Sequence, residues 1–235
     1  MTYALVGPEY YDTRLHPTCA DLGEISRQAL QSVFVCPEGG RILEVGAGNP
    51  ILPELMDMCG HDHPSGSLMA SDRHLEMLSL SSLQNSANPI RYLIADARHL
   101  PFSDNSLACI VSSLFDPYND KNFGIEIERC LEPGGEAFLT TPSFDWASQY
   151  RAENAFDSAT FTLRDGREID LPSSILPIGQ QQSEFQKCGL IVQAIALHYA
   201  VEEPRSPKLS DVFAKGLPIV YSYRLEKPHT SGSHG

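Results

Sequence analysis

Arg41-Ile42-Leu43-Glu44-Val45-Gly46-Ala47-Gly48-Asn49-Pro50 is the stretch whose reading decides the fold of this chain. Arg41 to Val45 predicts a short buried strand with an acidic residue at its end. Gly46 and Gly48 then let the backbone turn tightly and approach a ligand that a Cβ would keep away. Asn49 can cap a helix and Pro50 suits its first position, so a helix is expected to start just beyond. Strand, Gly-rich turn and helix N-terminus is the plan by which open α/β sheets bind nucleotide-like ligands.

Four readings compete for the turn. A phosphate-binding loop needs Gly-x-x-x-x-Gly-Lys, and no lysine stands near it. A dinucleotide fingerprint needs a third glycine where the chain has Ile51. A bland structural turn stays open. The Glu44-x-Gly46-x-Gly48 pattern after an apolar strand resembles motif I of the class I S-adenosylmethionine-dependent methyltransferases, in which the third glycine varies.

Composition narrows the class. The 235 residues suit one domain, or one core with insertions, and are enough to bury a sizeable interior. A formal net charge of -13 argues against nucleic acid, whose phosphates demand Lys and Arg, and favours a small neutral or cationic acceptor. No run is apolar enough to span a membrane and no leader pattern opens the chain, so a soluble cytoplasmic protein is expected, as a monomer or homodimer. The cysteines Cys19, Cys36, Cys59, Cys109, Cys130 and Cys188 are scattered without a Cys-x-x-Cys pair. They are expected as reduced thiols, with neither a disulfide nor a zinc site. Cys59, His61 and His63 lack a fourth ligand and a fixed scaffold, so no metal is expected there.

Residues 1–20 carry Tyr3, Tyr10, Tyr11, Arg14, His16 and Cys19 between Pro8 and Pro17. They are too broken for a long helix and too aromatic for a loose tail. They read either as a lid over a substrate pocket or as a seal on one face of the core. An amphipathic helix is expected over 19–35, from the spacing of Leu22, Ile25, Ala29, Leu30 and Val33.

Beyond the turn, Ser67 to Ser71 predicts a second strand that ends at Asp72, 24 residues past Gly48. An acidic residue at that distance takes the ribose hydroxyls in this architecture, and a carboxylate can accept from two vicinal hydroxyls. Asp72 could equally cap a helix over Arg73 to Leu83. Ile90 to Ala95 predicts a third strand ending at Asp96, and Asp96-Ala97-Arg98-His99-Leu100-Pro101-Phe102, followed by the apolar Leu107 to Ser113, resembles the adenine-binding segment of the same methyltransferases. The resemblance implies that Asp96 accepts the adenine amine and that the Ala97 N–H meets a ring nitrogen. Glu44, Gly46, Ala47, Gly48, Asp72, Arg73, Asp96, Ala97 and Ser112 then form the cofactor-binding set, with S-adenosylmethionine as cofactor.

The fourth strand runs into Phe115-Asp116-Pro117-Tyr118, similar to the Asn/Asp-Pro-Pro-Tyr motif of amino methyltransferases with one proline missing. Asp116 could polarise an acceptor proton and Tyr118 could stack on the acceptor, or the segment is an Asx-Pro turn that caps the next helix. A helix over Gly124 to Leu131 leads to Leu131-Glu132-Pro133-Gly134-Gly135, a family feature expected to reverse the chain before the fifth strand.

Residues 142–180 depart from a minimal methyltransferase and read as a substrate-side insertion. They comprise a helix from Ser143 to Ala155 and strands flanking Asp165-Gly166, a hairpin signal. Phe144, Trp146, Tyr150 and Arg151 could meet the acceptor, or form a satellite apolar cluster. A helix over Gln180 to Cys188 and strands over Leu190 to Val201 and Ile219 to Leu225 follow, with His198 read as a wall residue.

The expected fold is α/β: a Rossmann-like doubly wound sheet of seven strands with the last antiparallel, an N-terminal lid and an inserted β-hairpin. Residues 1–20 form the lid, 21–226 a single domain, and 227–235 a flexible tail. The expected reaction is methyl transfer to a small-molecule O or N acceptor. Asp116, Tyr118 and His16 are the catalytic candidates, and Tyr10, Tyr11, Arg14, Phe144, Trp146 and Tyr150 the acceptor-binding ones. Methylation of a protein or nucleobase nitrogen, or cofactor binding by a non-methylating cyclase or regulatory protein, are the alternatives.

Overall fold

The structure, a computed structural model, describes residues 2–60, 64, 66–78, 90–151 and 157–229. In chain order it gives α1 (Thr2–Tyr10), α2 (Pro17–Val33), β1 (Ile42–Val45), α3 (Leu52–Cys59), β2 (Leu68–Asp72) and a 3-10 turn at Leu75–Met77. Then come β3 (Arg91–Ile94), β4 (Leu107–Ser112), a 3-10 turn at Asp116–Tyr118, α4 (Lys121–Cys130) and β5 (Leu131–Pro142). The remainder is α5 (Phe144–Tyr150), β6 (Ser158–Thr162), β7 (Glu168–Pro172), α6 (Ile178–Lys187), β8 (Ile191–His198), α7 (Pro207–Ala214) and β9 (Val220–Glu226).

Seven strands form one sheet in the order β3-β2-β1-β4-β5-β9-β8. β1 pairs in parallel with β2 and β4, and β3 and β5 extend the parallel set outward. β9 runs antiparallel to both β5 and β8, which is the sheet expected from the sequence. The chain leaves β1 to one side for β2 and to the other for β4, so a crevice opens at the carboxyl ends of these strands.

β1 and β2 are buried on both faces, which is why Ile42, Leu43, Val45 and Leu68 to Ala70 are apolar, while the buried Glu44, Ser71 and Asp72 are held by hydrogen bonds. Ile42, Leu68, Cys109 and Val111 pack under Leu30 of α2 and Leu52, Leu55 and Met56 of α3. Leu43, Val45, Ile110 and Leu139 face Phe123 and Ile127 of α4 and Phe185 of α6. β6 and β7 pair as the separate hairpin predicted around Asp165-Gly166.

Several expectations need correction. Cys36, just after α2, and Cys59, the last residue of α3, form a disulfide with Cα atoms 5.8 Å apart. Their 23-residue separation hid this pairing, which arises because the two helices lie on the same face of the sheet. Pro133 to Gly135 lies inside β5, where pairing with β4 jumps from Leu107↔Leu131 to Cys109↔Glu136. The segment kinks a continuous strand instead of reversing the chain before it. Lys227, expected in the loose tail, prolongs the pairing of β9 with β5 through bonds between its N–H and the Gly135 carbonyl and between the Gly134 N–H and its own carbonyl. After Asp72 the described chain makes only the 3-10 turn, and the rest of the expected helix to Leu83 lies outside the described residues, as do His61, His63, Ala155 and residues 230–235.

The N-terminal segment does form a helix. α1 lies directly on the Leu75–Met77 turn, where a Cβ on Gly7 would stand 2.7 Å from the Glu76 carbonyl oxygen. Val6 packs with Phe161, Leu163 and Leu171 of the hairpin and its flanks, joined by Tyr3, Tyr10 and Cys19. The two parts of the chain least like the sheet core are therefore packed on each other, across the strand ends.

Candidate active site at the strand ends

Glu44 fixes the shape of the turn. It is fully buried, and its carboxylate accepts from the N–H groups of Ile51 (3.0 Å) and Leu52 (2.8 Å) at the start of α3. Burial pushes its carboxyl up to about 7 against the pull of these two bonds. Both oxygens are thus committed to backbone, and Glu44 holds the loop from beneath. Arg27 of α2 clamps the loop from outside, donating to the carbonyls of Asn49 (2.9 Å) and Pro50 (3.1 Å) and pairing with Glu54 (3.0 Å).

The turn itself takes left-handed backbone at Gly46 (φ +62°) and Gly48 (φ +49°), a conformation side chains disfavour. A Cβ on Gly46 would stand 2.1 Å from the Tyr118 hydroxyl, and one on Gly48 would stand 2.3 Å from that of Tyr11. Each glycine is therefore abutted by the end of a tyrosine ring. Tyr118 Oη and Ser112 Oγ each lie 2.9 Å from the Val45 carbonyl oxygen and within hydrogen-bonding distance of each other, so their two protons are shared between Val45 O and the bond that joins them. Tyr11 Oη donates to the carbonyl of Met77 (3.0 Å). Burial pushes both phenols above the ordinary tyrosine range, so they remain neutral donors.

Asp72 ends β2 with Oδ2 accepting from the Gly48 N–H (3.1 Å) and Oδ1 from that of His74 (2.8 Å). Burial raises its pKa while these bonds oppose the rise. Asp96, beyond β3, is more open, with a side chain 29% exposed that pairs with Arg73 at 3.1 Å and accepts from the Arg98 N–H at 3.0 Å. Ala97 is buried beside it. Gly46, Gly48, Asp72, Arg73, Asp96 and Ser112 thus gather at one end of the sheet.

Asp116 follows β4 and is buried, its carboxyl pushed up to about 6 by desolvation. It accepts the hydroxyl proton of Ser173, a residue the sequence reading passed over. Leu114, two residues earlier, holds φ at +55°, a strained value for a leucine, and such strain gathers at functional loops. Tyr3 stacks on His74 at 6.2 Å and lies within the fields of Asp116 and Asp72. α1 therefore spans from the end of β2 to the end of β4.

The remaining candidates scatter. Tyr10 stacks on Phe161 (5.9 Å), and His16 lies over the same ring at 4.0 Å, in the seam between lid and hairpin. Burial lowers the His16 pKa, and the charges around it are Glu9, Asp12 and Arg164. Arg14 is exposed, its N–H bonded to Asp12. Trp146 packs with Leu22, Ile25, Leu209 and Val212 of α2 and α7, with Phe144 and Tyr150 against the same cluster. The Tyr150 hydroxyl bonds Asp211. These three aromatics take the satellite-cluster reading, because α5 buries its apolar face against neighbouring helices. Among the described residues, no three His, Cys, Asp or Glu side chains are grouped to hold a metal, and no helix is long and apolar enough to cross a membrane.

Residues 43–139 match the model of a methyltransferase domain family. No curated protein matches the sequence. Among solved structures, a chain from the complex between the Haloferax volcanii Trm112 methyltransferase activator and a methyltransferase superposes with a TM-score of 0.70 at 15% identity, covering 97% of each chain. An S-adenosylmethionine-dependent methyltransferase from Listeria monocytogenes gives 0.65 at 11% identity, over 88% of this chain and 99% of that one. Another, from Mesorhizobium loti, gives 0.60 at 14% identity, over 88% and 100%. At such identities the likeness is one of fold.

Proposed function

We propose that this chain, which belongs to the class I S-adenosylmethionine-dependent methyltransferases, transfers the methyl group to an oxygen or nitrogen of a small molecule. The observation that carries the reading is the convergence of the Gly46/Gly48 turn, Asp72 and Asp96 at the carboxyl ends of β1, β2 and β3.

The residues fit the cofactor. What approaches the two glycines is the far end of tyrosine side chains, which can swing aside, and not backbone, which cannot. Asp72 and Ala97 would meet the ribose and adenine, and the half-open Asp96 carboxylate would take the adenine amine. When bound, S-adenosylmethionine supplies a methyl group already activated by a sulfonium. The chain has to orient the acceptor, exclude water and receive a proton.

Asp116 is suited to receive that proton, lying buried at the end of β4 near Tyr3 and Tyr118. α1 and the hairpin roof this side of the crevice, which favours a small acceptor over a polymer. The net charge of -13 points the same way, since it repels nucleic acid.

The test is calorimetric titration with S-adenosylmethionine and S-adenosylhomocysteine, on wild type and Asp96→Ala, followed by labelled methyl transfer to panels of small amines, phenols and carboxylic acids. Asp96→Ala is expected to weaken binding at least tenfold, as loss of a charge-assisted hydrogen bond worth about 1.5–3 kcal/mol requires. A folded wild type that binds neither ligand overturns the reading. Binding without transfer to any acceptor favours a non-methylating role, and transfer to protein or nucleic acid alone rejects the small-molecule acceptor.

A further inference from the structure

Asp116 is held by a chain of side chains that comes from the 142–180 insertion. Arg151, which follows α5, donates to the Ser173 carbonyl at 2.8 Å and to Ser173 Oγ at 2.7 Å. With Oγ accepting from the guanidinium, the hydroxyl proton of Ser173 is directed to Asp116 Oδ2. The order Arg151, Ser173, Asp116 is therefore polarised in one sense. Ser173 is buried and lies just beyond β7.

Anchoring the loop does not require these side chains. The Ser174 N–H already donates to the Asp116 carbonyl at 2.8 Å, and Asn119 Nδ2 donates to Ser174 O at 2.9 Å and to Gln181 Oε1 at 2.7 Å. What Arg151 and Ser173 add is charge and direction. The other titratable groups facing Asp116 are Tyr3 and Tyr10 from α1, Cys19 from α2 and Tyr118 from its own loop. Burial raises the pKa of all four, so they are neutral near pH 7 and offer no counter-charge. Among the described residues around Asp116, Arg151 supplies the positive charge, and Asp116 is the first of the carboxylates that acts on it in turn.

We propose that Arg151 and Ser173 are positioning residues that keep Asp116 ionised and fixed in orientation, as the proton acceptor for a substrate that loses an O–H or N–H proton on methylation. The inference rests on reading the end of β4 as the acceptor side. In the step concerned the acceptor's O–H or N–H bond breaks as that atom takes the methyl group that bound S-adenosylmethionine would give up, and the proton forms an O–H bond on the Asp116 carboxylate. The sulfur–methyl bond is broken and the neutral thioether S-adenosylhomocysteine is left. Asp116 returns the proton to solvent after product leaves, and no oxidant or reductant is needed. The substrate class is thus a hydroxyl compound or a primary or secondary amine, and not a thioether or tertiary amine.

The experiment is a carbon-detected NMR titration of the full chain labelled at the aspartate carboxyl, the Asp116 signal being the one lost in Asp116→Asn. Arg151→Met and Ser173→Ala are each expected to raise its midpoint by at least one pH unit, and Arg151→Lys, which keeps the charge, to raise it by less than Arg151→Met. An unchanged midpoint in both variants, with melting and S-adenosylhomocysteine binding intact, overturns the proposal. Should Arg151→Met not fold, Ser173→Ala and Arg151→Lys decide it by the same midpoint. Failure of wild type to bind S-adenosylhomocysteine in parallel titrations strikes the methyltransferase reading itself, independently of the NMR result.

Discussion

Glu44→Gln tests whether the acid of the turn is a buried helix cap sensitive to protonation. The carboxyl is fully buried and its pKa rises from 4.5 to about 7, with burial the main cause. Because the folded protein holds this proton more tightly than the unfolded chain, the resulting stability is complete below pH 4.5 and is lost as pH climbs through 7. For a shift of that size the loss between pH 5 and pH 8 is roughly 2.5 kcal/mol.

Glutamine has no such proton to lose, and with its oxygen in the place of Oε2 it still reaches the N–H groups of Leu52 (2.8 Å) and Ile51 (3.1 Å). Its amide nitrogen is left without an acceptor, at about 1–3 kcal/mol. Urea unfolding is therefore expected to show Glu44→Gln less stable than wild type at pH 5 and level with it, or ahead, at pH 8. Comparing the two proteins cancels Asp116, whose carboxyl also titrates in this range. Glu44→Ala removes both acceptors and is expected to cost about 2–5 kcal/mol at either pH. A wild-type to glutamine difference that stays within about 0.5 kcal/mol across the range would refute the reasoning, since no buried carboxyl with so high a pKa could behave that way.

Gly46→Ala places a Cβ at left-handed φ and against the Tyr118 hydroxyl, so S-adenosylhomocysteine affinity is expected to fall at least tenfold by calorimetry. Unaltered affinity would show that nothing binds close to this glycine. Tyr118→Phe gives up the hydrogen bond to Val45 O, with an expected loss of about 1 kcal/mol in unfolding experiments. The same variant should hold or improve affinity for S-adenosylhomocysteine, because the ring that has to leave Gly46 is then no longer held by a hydrogen bond, and a clear fall in affinity would instead give the hydroxyl a direct part in binding.

What could be read in the sequence was local. A strand, its turn and the acid at its end lie within ten residues, so Gly46, Gly48, Asp72 and Asp96 could each be placed before the sheet brought them together. Ser173 could not, because it is 57 residues from Asp116 and serine carries no distinctive signal. Arg27 escaped for a similar reason, as a polar residue on an amphipathic helix reads as solvated until the loop it clamps is in view. Trp146 and Tyr150 show the opposite limit. Aromatic composition does not distinguish a pocket wall from a satellite core, and here α7 covers them.

The lid, the hairpin and the loop after β4 behave as one assembly in this fold. Tyr11 links the lid to Gly48 and to Met77, and Tyr118 links the loop to Gly46 and Val45. Ser173 and Ser174 link the insertion to Asp116, and Arg164 joins the hairpin to Glu9 and Asp12 of the N-terminal segment. Any ligand that approaches the glycine backbone as closely as a Cβ would has to displace the tyrosine that now lies there. Displacing Tyr11 disturbs the lid, and displacing Tyr118 disturbs the loop that carries Asp116. Two sites that compete for the same side chains share a coupling free energy, and that coupling is reciprocal. Whatever holds the acceptor side in a given arrangement therefore alters affinity at the glycine turn by the same factor in both directions.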